Sequence, residues 1–375
     1  MDAIYCYDPT KSDSLSKVRG VGRYLQILKE NFPKWHFSSS LTPNPYTLKP
    51  IFINPFFNFL QPPLISKRIA KRQIAVIHDL IPLKYPKYFP VGIRGRINIF
   101  RNKLALKDYD LIVTDSHASK KDILYILKIK EEKIRVIYPT LPKIFNQVDS
   151  SKKLVDRKEK NQNSNPQLLA TNYYLYVGDA TWNKNLVNLA KAIKIANITC
   201  VFVGKVFEGM VESSKKQIVR EDANQNPNYS LLTTNYLKHP WQREFKSFLK
   251  ETEGDKRFVF LGFVPDAQLI QLYQNAIGNL LISRDEGYGF SYLEAATNST
   301  PSILSNLNVF REVSKNKGAL YVNPENPTNI AQAINQLYSN KELRNKLSKE
   351  AQERSRFFNP RKFTEAFLKI INSDL

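Results

Sequence analysis

Short apolar runs, each closed by glycine, aspartate or proline, alternate along this chain with segments whose apolar residues fall at helical spacing. The runs include DAIYCYD (2–8), KPIFINPF (49–56), IAVIHDL (74–80), DYDLIVTD (108–115), IRVIYPT (134–140), NYYLYVGD (172–179), ITCVFVGK (198–205) and RFVFLGF (257–263). Runs this short and this continuously apolar read as strands buried on both faces, and their alternation with helices predicts parallel sheets covered by helices, an α/β fold. Between Val148 and Gln167 the periodicity stops in a polar, charged stretch, VDSSKKLVDRKEKNQNSNPQ. That stretch is expected to link two domains, 1–147 and one beginning at 168, which a chain of 375 residues can support with separate cores.

Composition narrows the classes. Lysine and arginine outnumber aspartate and glutamate 56 to 34, a formal net charge of +22 that suits an anionic partner: nucleic acid, a membrane surface or an acidic substrate. Much of the excess lies between Ser66 and Leu111, just after the aromatic NPFFNFLQPPL (54–64), whose Phe56, Phe57, Phe59 and Leu60 beside cations suit the headgroup region of an anionic membrane. A lysine-rich solvated face over ordinary core aromatics explains the same residues. The segment 92–107 reads as a basic amphipathic helix, with Ile93, Ile97, Phe100 and Leu104 among arginines. No apolar run is long enough to span a bilayer, and MDAIYCYDPTKSD lacks the pattern of a secretory signal. Cys6 and Cys200 fall in separate predicted strands and are expected to be reduced, as in a cytoplasmic protein, peripheral at most to the inner face of the membrane.

The densest chemical signal is GNLLISRDEGYGFSYLEAATNSTPSILSN (278–306). Leu280-Leu281-Ile282 reads as a buried strand; Gly287 and Gly289 allow a close backbone approach; Ser291 is expected to cap a helix starting near Tyr292 and ending near Asn298. A helix N-terminus offers amides and a positive dipole end to a phosphate, so Gly287, Tyr288, Gly289, Phe290, Ser291 and Tyr292 are candidates for binding a diphosphate. Glu294, expected in the first helical turn, would take hydroxyls beside the phosphate, and Glu286 would face a sugar. On loop chemistry alone, a glycine-rich turn with two solvated glutamates fits equally well.

EGYGFSYLEA resembles the Glu-x7-Glu signature of retaining, nucleotide-sugar-dependent glycosyltransferases of family 4. The likeness continues through Thr300-Pro301, Glu312-Val313 and GALYVNPENP (318–327), with Ser291, Tyr292 and Ser299 standing where proline, a small aliphatic residue and glycine are usual. The resemblance implies the GT-B fold: two Rossmann-like domains with parallel sheets facing a central cleft, the first binding the acceptor and the second (168–357) the donor, with 358–375 returning to the first. It also implies roles for further positions. Gly20 and Gly22, expected just before a helix, match a loop against the donor phosphate; the pair is not a dinucleotide fingerprint, since Leu25 replaces the third glycine. His78, which ends a strand beside Asp79, would contact the transferred sugar, while Asp79 and His117 would face the acceptor. A solvated helix start explains His117 as well. Gly178, Lys184 and Asn185 match a Gly-x5-Lys-Asn pattern in which Lys184 neutralises the diphosphate, with Asn183 where arginine is usual. Gly204, Lys205, Phe263 and Val264 would lie near the nucleotide base.

The expected activity is that of a retaining hexosyltransferase moving a mannose-like sugar from a nucleotide-sugar donor to a saccharide or lipid-linked saccharide in cell-surface polysaccharide or glycolipid synthesis. No cofactor and no metal is required in this reading, because the leaving diphosphate is held by Lys184 and helix amides, and cysteine and histidine show no zinc spacing. Two other classes fit parts of the chain: a basic nucleic-acid-binding protein, suggested by charge and by Tyr85 and Tyr88 among lysines but lacking any binding motif, and a nucleotide-sugar epimerase or hydrolase on the same fold.

Overall fold

A computed structural model describes residues 3–11, 20–39, 48–146, 172–210 and 239–373. The predicted linker, 148–167, and most of the polar insertion before His239 lie outside them. The chain divides into two compact units. One comprises Met1–Lys143, Glu286–Tyr288 and Phe358–Leu375; the other comprises Ile144–Asp285 and Gly289–Phe357.

The first unit is built on six parallel strands in the order β2-β1-β3-β4-β5-β6. They are β1 (Ile4–Tyr7), β2 (His36–Ser38), β3 (Lys49–Asn54), β4 (Ala70–Val76), β5 (Leu111–Thr114) and β6 (Ile134–Val136). β4 starts earlier and ends earlier than its apolar run predicts. Its opening residues Lys71, Arg72 and Gln73 are polar, yet Gln73 is fully buried and spends its amide on Ile69 N (2.8 Å) and Asp108 O (2.9 Å). His78-Asp79 therefore lies just beyond the strand rather than ending it.

One face of this sheet packs Phe52, Ala75, Ile77, Ile112, Ile123 and Ile134 together with Phe57 and Phe59. Those two aromatics, expected beside the charge on the surface, are 6% and 3% exposed and belong to the core. On another side an aromatic cluster joins Phe32 and Trp35, stacked at 4.0 Å, to Phe363 and Phe367 of the C-terminal helix Pro360–Asn372. That helix starts cleanly: Asn359 accepts from Lys362 N, and Pro360 occupies a first-turn position where its missing N–H costs nothing.

The second unit repeats the plan with β12-β11-β10-β7-β8-β9, again all parallel. Its strands are β7 (Tyr173–Val177), β8 (Thr199–Val203), β9 (Phe258–Gly262), β10 (Gly278–Leu281), β11 (Ser302–Ser305) and β12 (Ala319–Val322). Leu280, Ile303, Tyr174, Phe202 and Val322 meet the helices Leu186–Ala196 and Pro327–Ser339 in one core, and the buried Tyr174 hydroxyl is satisfied by Ile334 O at 2.7 Å. Asp266 begins the helix Asp266–Asn275 but does not cap it; the cap position is Pro265.

Removing the Phe367 ring leaves a cavity in a cluster of four aromatic side chains. Phe367→Ala is expected to destabilise the first unit by roughly 3–5 kcal/mol, read as a lower urea midpoint at unchanged slope. A loss under about 1 kcal/mol would mean that the C-terminal helix contributes little to that core.

Candidate active site

The second sheet has a point where the strand order reverses. From β7 the chain builds outward through β8 and β9, then returns to the other side of β7 with β10 and continues through β11 and β12. Connections leave β7 and β10 in opposite directions, so a crevice opens at their carboxyl ends, where open α/β sheets take ligands. The segments carrying the signals of the sequence follow these two strands.

One backbone bond and one side-chain bond tie the two segments together. Arg284 N donates to Asn183 O at 2.7 Å, and Asn183 Nδ2 returns to Asp285 O at 3.1 Å. Asn183, at the position where arginine is usual, is 5% exposed and acts as this cross-tie. The arginine of the region is Arg284, which sequence reasoning treats only as a strand boundary. It donates to Trp182 O at 2.7 Å, pairs with Glu244 (2.7 and 2.8 Å) and Glu325 (2.7 Å), and lies over the Trp182 ring. Lys184 ends the turn Trp182–Lys184, half-buried, and Asn185 follows at φ 58°, a left-handed conformation that asparagine tolerates, with its amide on Pro324 O at 2.7 Å. Farther along the edge, Gly204 lies so close to the Gly178 carbonyl that a Cβ would come within 2.1 Å, and its amide donates to Gly262 O at 2.9 Å. Lys205 is half-buried after it, Phe263 is 49% exposed, and Val264 is buried.

The helix after β10 is Phe290–Thr297. It begins earlier than expected, and Ser291 does not cap it. The cap position is Gly289 at φ 93°, with no side chain bonding the helix amides. A Cβ there would meet the Phe310 ring at 2.8 Å as well as backbone strain, which explains the glycine. Tyr292 N is satisfied by Gly289 O at 3.0 Å. The Tyr292 ring is 1% exposed and its hydroxyl donates to Lys317 O, so this side chain fills the interior. Ser299, where glycine is usual, has φ 55°.

Glu294 consequently falls in the second turn, not the first. It is 4% exposed, and Tyr273 donates to its Oε2 at 3.0 Å. Tyr273, 21 residues away, gives no sign in the sequence of holding this carboxylate.

Residues 286–288 form part of the first unit. Gly287 O accepts from Ser116 Oγ (2.7 Å) and Ser119 Oγ (3.1 Å), and Ser119 Oγ also reaches His78 O at 3.0 Å. A Cβ on Gly287 would stand 2.6 Å from His78 O, so only glycine allows this approach. The Tyr288 hydroxyl donates to Pro139 O at 2.8 Å and its ring packs edge-on to Phe358, so the side chain expected to bind the donor is committed to this unit's interior. Glu286 stands beside Gly287, half-buried. Ser116 caps His117–Leu127, accepting from Ser119 N, and the Ser-x-x-Ser spacing is the sequence clue to its second role. Gly20 and Gly22 lie within the first turn of the helix Gly20–Asn31, not before it.

His78 is held at both ring nitrogens. Nδ1 is 2.6 Å from Asp115 Oδ2 and Nε2 is 3.0 Å from Pro55 O. A carbonyl can only accept, so Nε2 carries a proton; the carboxylate favours a proton on Nδ1 as well, leaving no lone pair for base chemistry. Burial alone would favour the neutral ring. Asp115, the Pro55 carbonyl and Asp79 outweigh it and raise the pKa above the usual histidine value. Asp115, at the carboxyl end of β5, is the partner that sequence reasoning passes over. Asp79 itself is exposed and accepts from Ile81 N at 3.0 Å, and His117 is exposed on the first helical turn.

A raised histidine pKa contributes stability that is fully present below about pH 6.5, the ordinary value, and fades as pH rises through the higher folded value. Asp115→Asn should remove that contribution and lower the His78 titration midpoint, read from imidazole NMR shifts. An unchanged midpoint would contradict the ion pair.

The family model described as glycosyl transferases group 1 matches residues 157–354, more than half of the chain. The O-antigen chain mannosyltransferase RfbU of Salmonella typhimurium is 27% identical over 266 residues, 71% of this chain and 61% of that protein. The serotype-specific mannosyltransferase WbdA of Escherichia coli is 21% identical over 266 residues, 69% of this chain and 29% of its own. The chain thus spans less than two thirds of the length of either relative. Anabaena Alr3699/HepE, solved in complex with UDP and glucose, matches over 100% of both chains with a TM-score of 0.68 at 14% identity. The two six-stranded parallel sheets are those of the GT-B fold, and the chain belongs to the group 1 glycosyl transferases.

Proposed function

We propose that the chain is a retaining hexosyltransferase that takes a mannose-like sugar from a nucleotide-sugar donor and places it on a hydroxyl of a saccharide or lipid-linked saccharide acceptor. The observation that carries this reading is the glycine-started helix without a side-chain cap at the strand-order reversal of the second sheet, with the buried Glu294 in its second turn and the loop that carries Lys184 bonded through Asn183 to residues 284 and 285. The mannosyltransferase relatives support the sugar and a place in polysaccharide synthesis; the UDP of the Anabaena complex supports the donor class.

In this reading the bond between the anomeric carbon and the diphosphate breaks, and negative charge grows on the leaving phosphate. Lys184 and the helix dipole stabilise that charge, without requiring a metal ion. Glu294, held by Tyr273, accepts from ribose hydroxyls, and Glu286 holds a hydroxyl of the transferred sugar. The acceptor oxygen bonds to the anomeric carbon and its proton passes to a leaving-phosphate oxygen. Retention follows from the family likeness.

Incubation with UDP-, GDP- and dTDP-hexoses should consume one donor, and do so only when acceptor is present. Free sugar or an epimer formed without acceptor would replace transfer with hydrolysis or epimerisation. Glu294→Ala is expected to raise the donor KM about ten- to a hundredfold, the worth of a charge-assisted hydrogen bond, while Glu286→Ala should act mainly on kcat. Full transferase activity in both variants would refute the assignment.

A further inference from the structure

The helix Gly92–Ala105 of the first unit is turned inside out. Its inward residues are mostly small or polar, Ile99 alone of its apolar residues packing on the core: Gly95 and Ala105 are buried, and Asn102, 2% exposed, donates to Gln61 O (2.7 Å) and Asn98 O (3.0 Å). Asn98 adds a bond to Leu60 O at 2.9 Å. Side-chain amides thus fasten the helix where an ordinary surface helix would use an apolar stripe.

The apolar stripe faces outward. Ile93, Ile97, Phe100 and Leu104 are 79%, 51%, 64% and 47% exposed. At about 100° per residue they fall within a narrow arc, with Arg94 and Arg101 on one flank and Arg96 and Lys103 on the other, roughly 60–100° away. All four cations are exposed, and no acidic residue occurs between Asp79 and Asp108.

We infer that this helix docks the protein onto an anionic lipid bilayer, lying in the interface plane with the stripe among the acyl chains and the flanking cations on the headgroups. Charge selects the occupant. A second copy of the chain would set arginine against arginine across the stripe, whereas anionic lipid supplies the opposite charge on both flanks, and long cationic side chains reach headgroups while their stems stay apolar. The stripe is far too short-sided to span: among the described residues no helix is long and apolar enough to cross a membrane. The inference moves the expected membrane contact from the aromatics at 56–60, which include the core residues Phe57 and Phe59, to this helix. It stands apart from the transfer reading, because binding needs no donor or acceptor.

The full chain should co-sediment with vesicles containing about 30% phosphatidylglycerol, weakly or not at all with pure phosphatidylcholine, and less as salt rises. The double variant Ile97→Ser, Phe100→Ser should lose binding about tenfold or more with unchanged circular dichroism and melting temperature. Arg94→Gln with Arg101→Gln should abolish the preference for anionic vesicles. No binding by the parent chain, equal binding to both vesicle types, or binding untouched by either variant would overturn the inference. So would a concentration-dependent dimer that the serine variant dissolves while vesicle binding is absent.

Discussion

One backbone bond and one side-chain bond between Asn183 and residues 284 and 285 hold the candidate donor site together. Parallel strands cannot bond to each other beyond their ends, and at a strand-order reversal the chain leaves in opposite directions, so the two loops that must meet a ligand have no ladder to register them. Here the registration comes from Asn183 and is reinforced by Arg284, whose charge is neutralised by Glu244 and Glu325. Burial pushes the Glu244 carboxyl above its usual value despite that arginine, a sign of how far the cluster is withdrawn from water. Lys184 follows Asn183 directly, so this clamp fixes the loop that carries it against the segment after β10. A phosphate site gains from such preorganisation because its charged groups need no rearrangement when the ligand arrives.

The first unit uses charge differently. His78 and Asp115 form a pair in which the second ring nitrogen of His78 is spent on Pro55, and the same neighbourhood holds the Gly287 carbonyl through Ser116 and Ser119. The ring is packed against Tyr24 and Phe56. These contacts fix the His78 ring in place and set the backbone beside Glu286.

Much of the fold was legible because buried parallel strands are apolar throughout. β7, β8 and β9 sit inside their predicted runs, and β10 starts two residues before its own. The strands that escaped reading are those that pattern cannot mark. β2 is only three residues, and β11 carries Ser302 and Ser305, both fully buried where apolar residues are the norm. The helix start at Phe290 was hidden because serine is the commoner cap, whereas a glycine at positive φ serves here. Aromatic content could not tell inside from outside: Phe57 and Phe59 pack in the core while Phe100 faces solvent. Glu286 and Glu294 were marked by spacing, but the hydroxyl that holds Glu294 and the serines that hold Gly287 reach across sequence distances that no local pattern encodes.

Amide hydrogen exchange measured by mass spectrometry, with and without UDP and GDP, tests the central claim most directly. A diphosphate seated on the uncapped helix should slow exchange in peptides covering 289–293 and 182–186 of the second unit's site, for the cognate nucleotide and not for the free nucleoside. Slowing confined to other peptides, or equal slowing by the nucleoside, would contradict a diphosphate site at this helix.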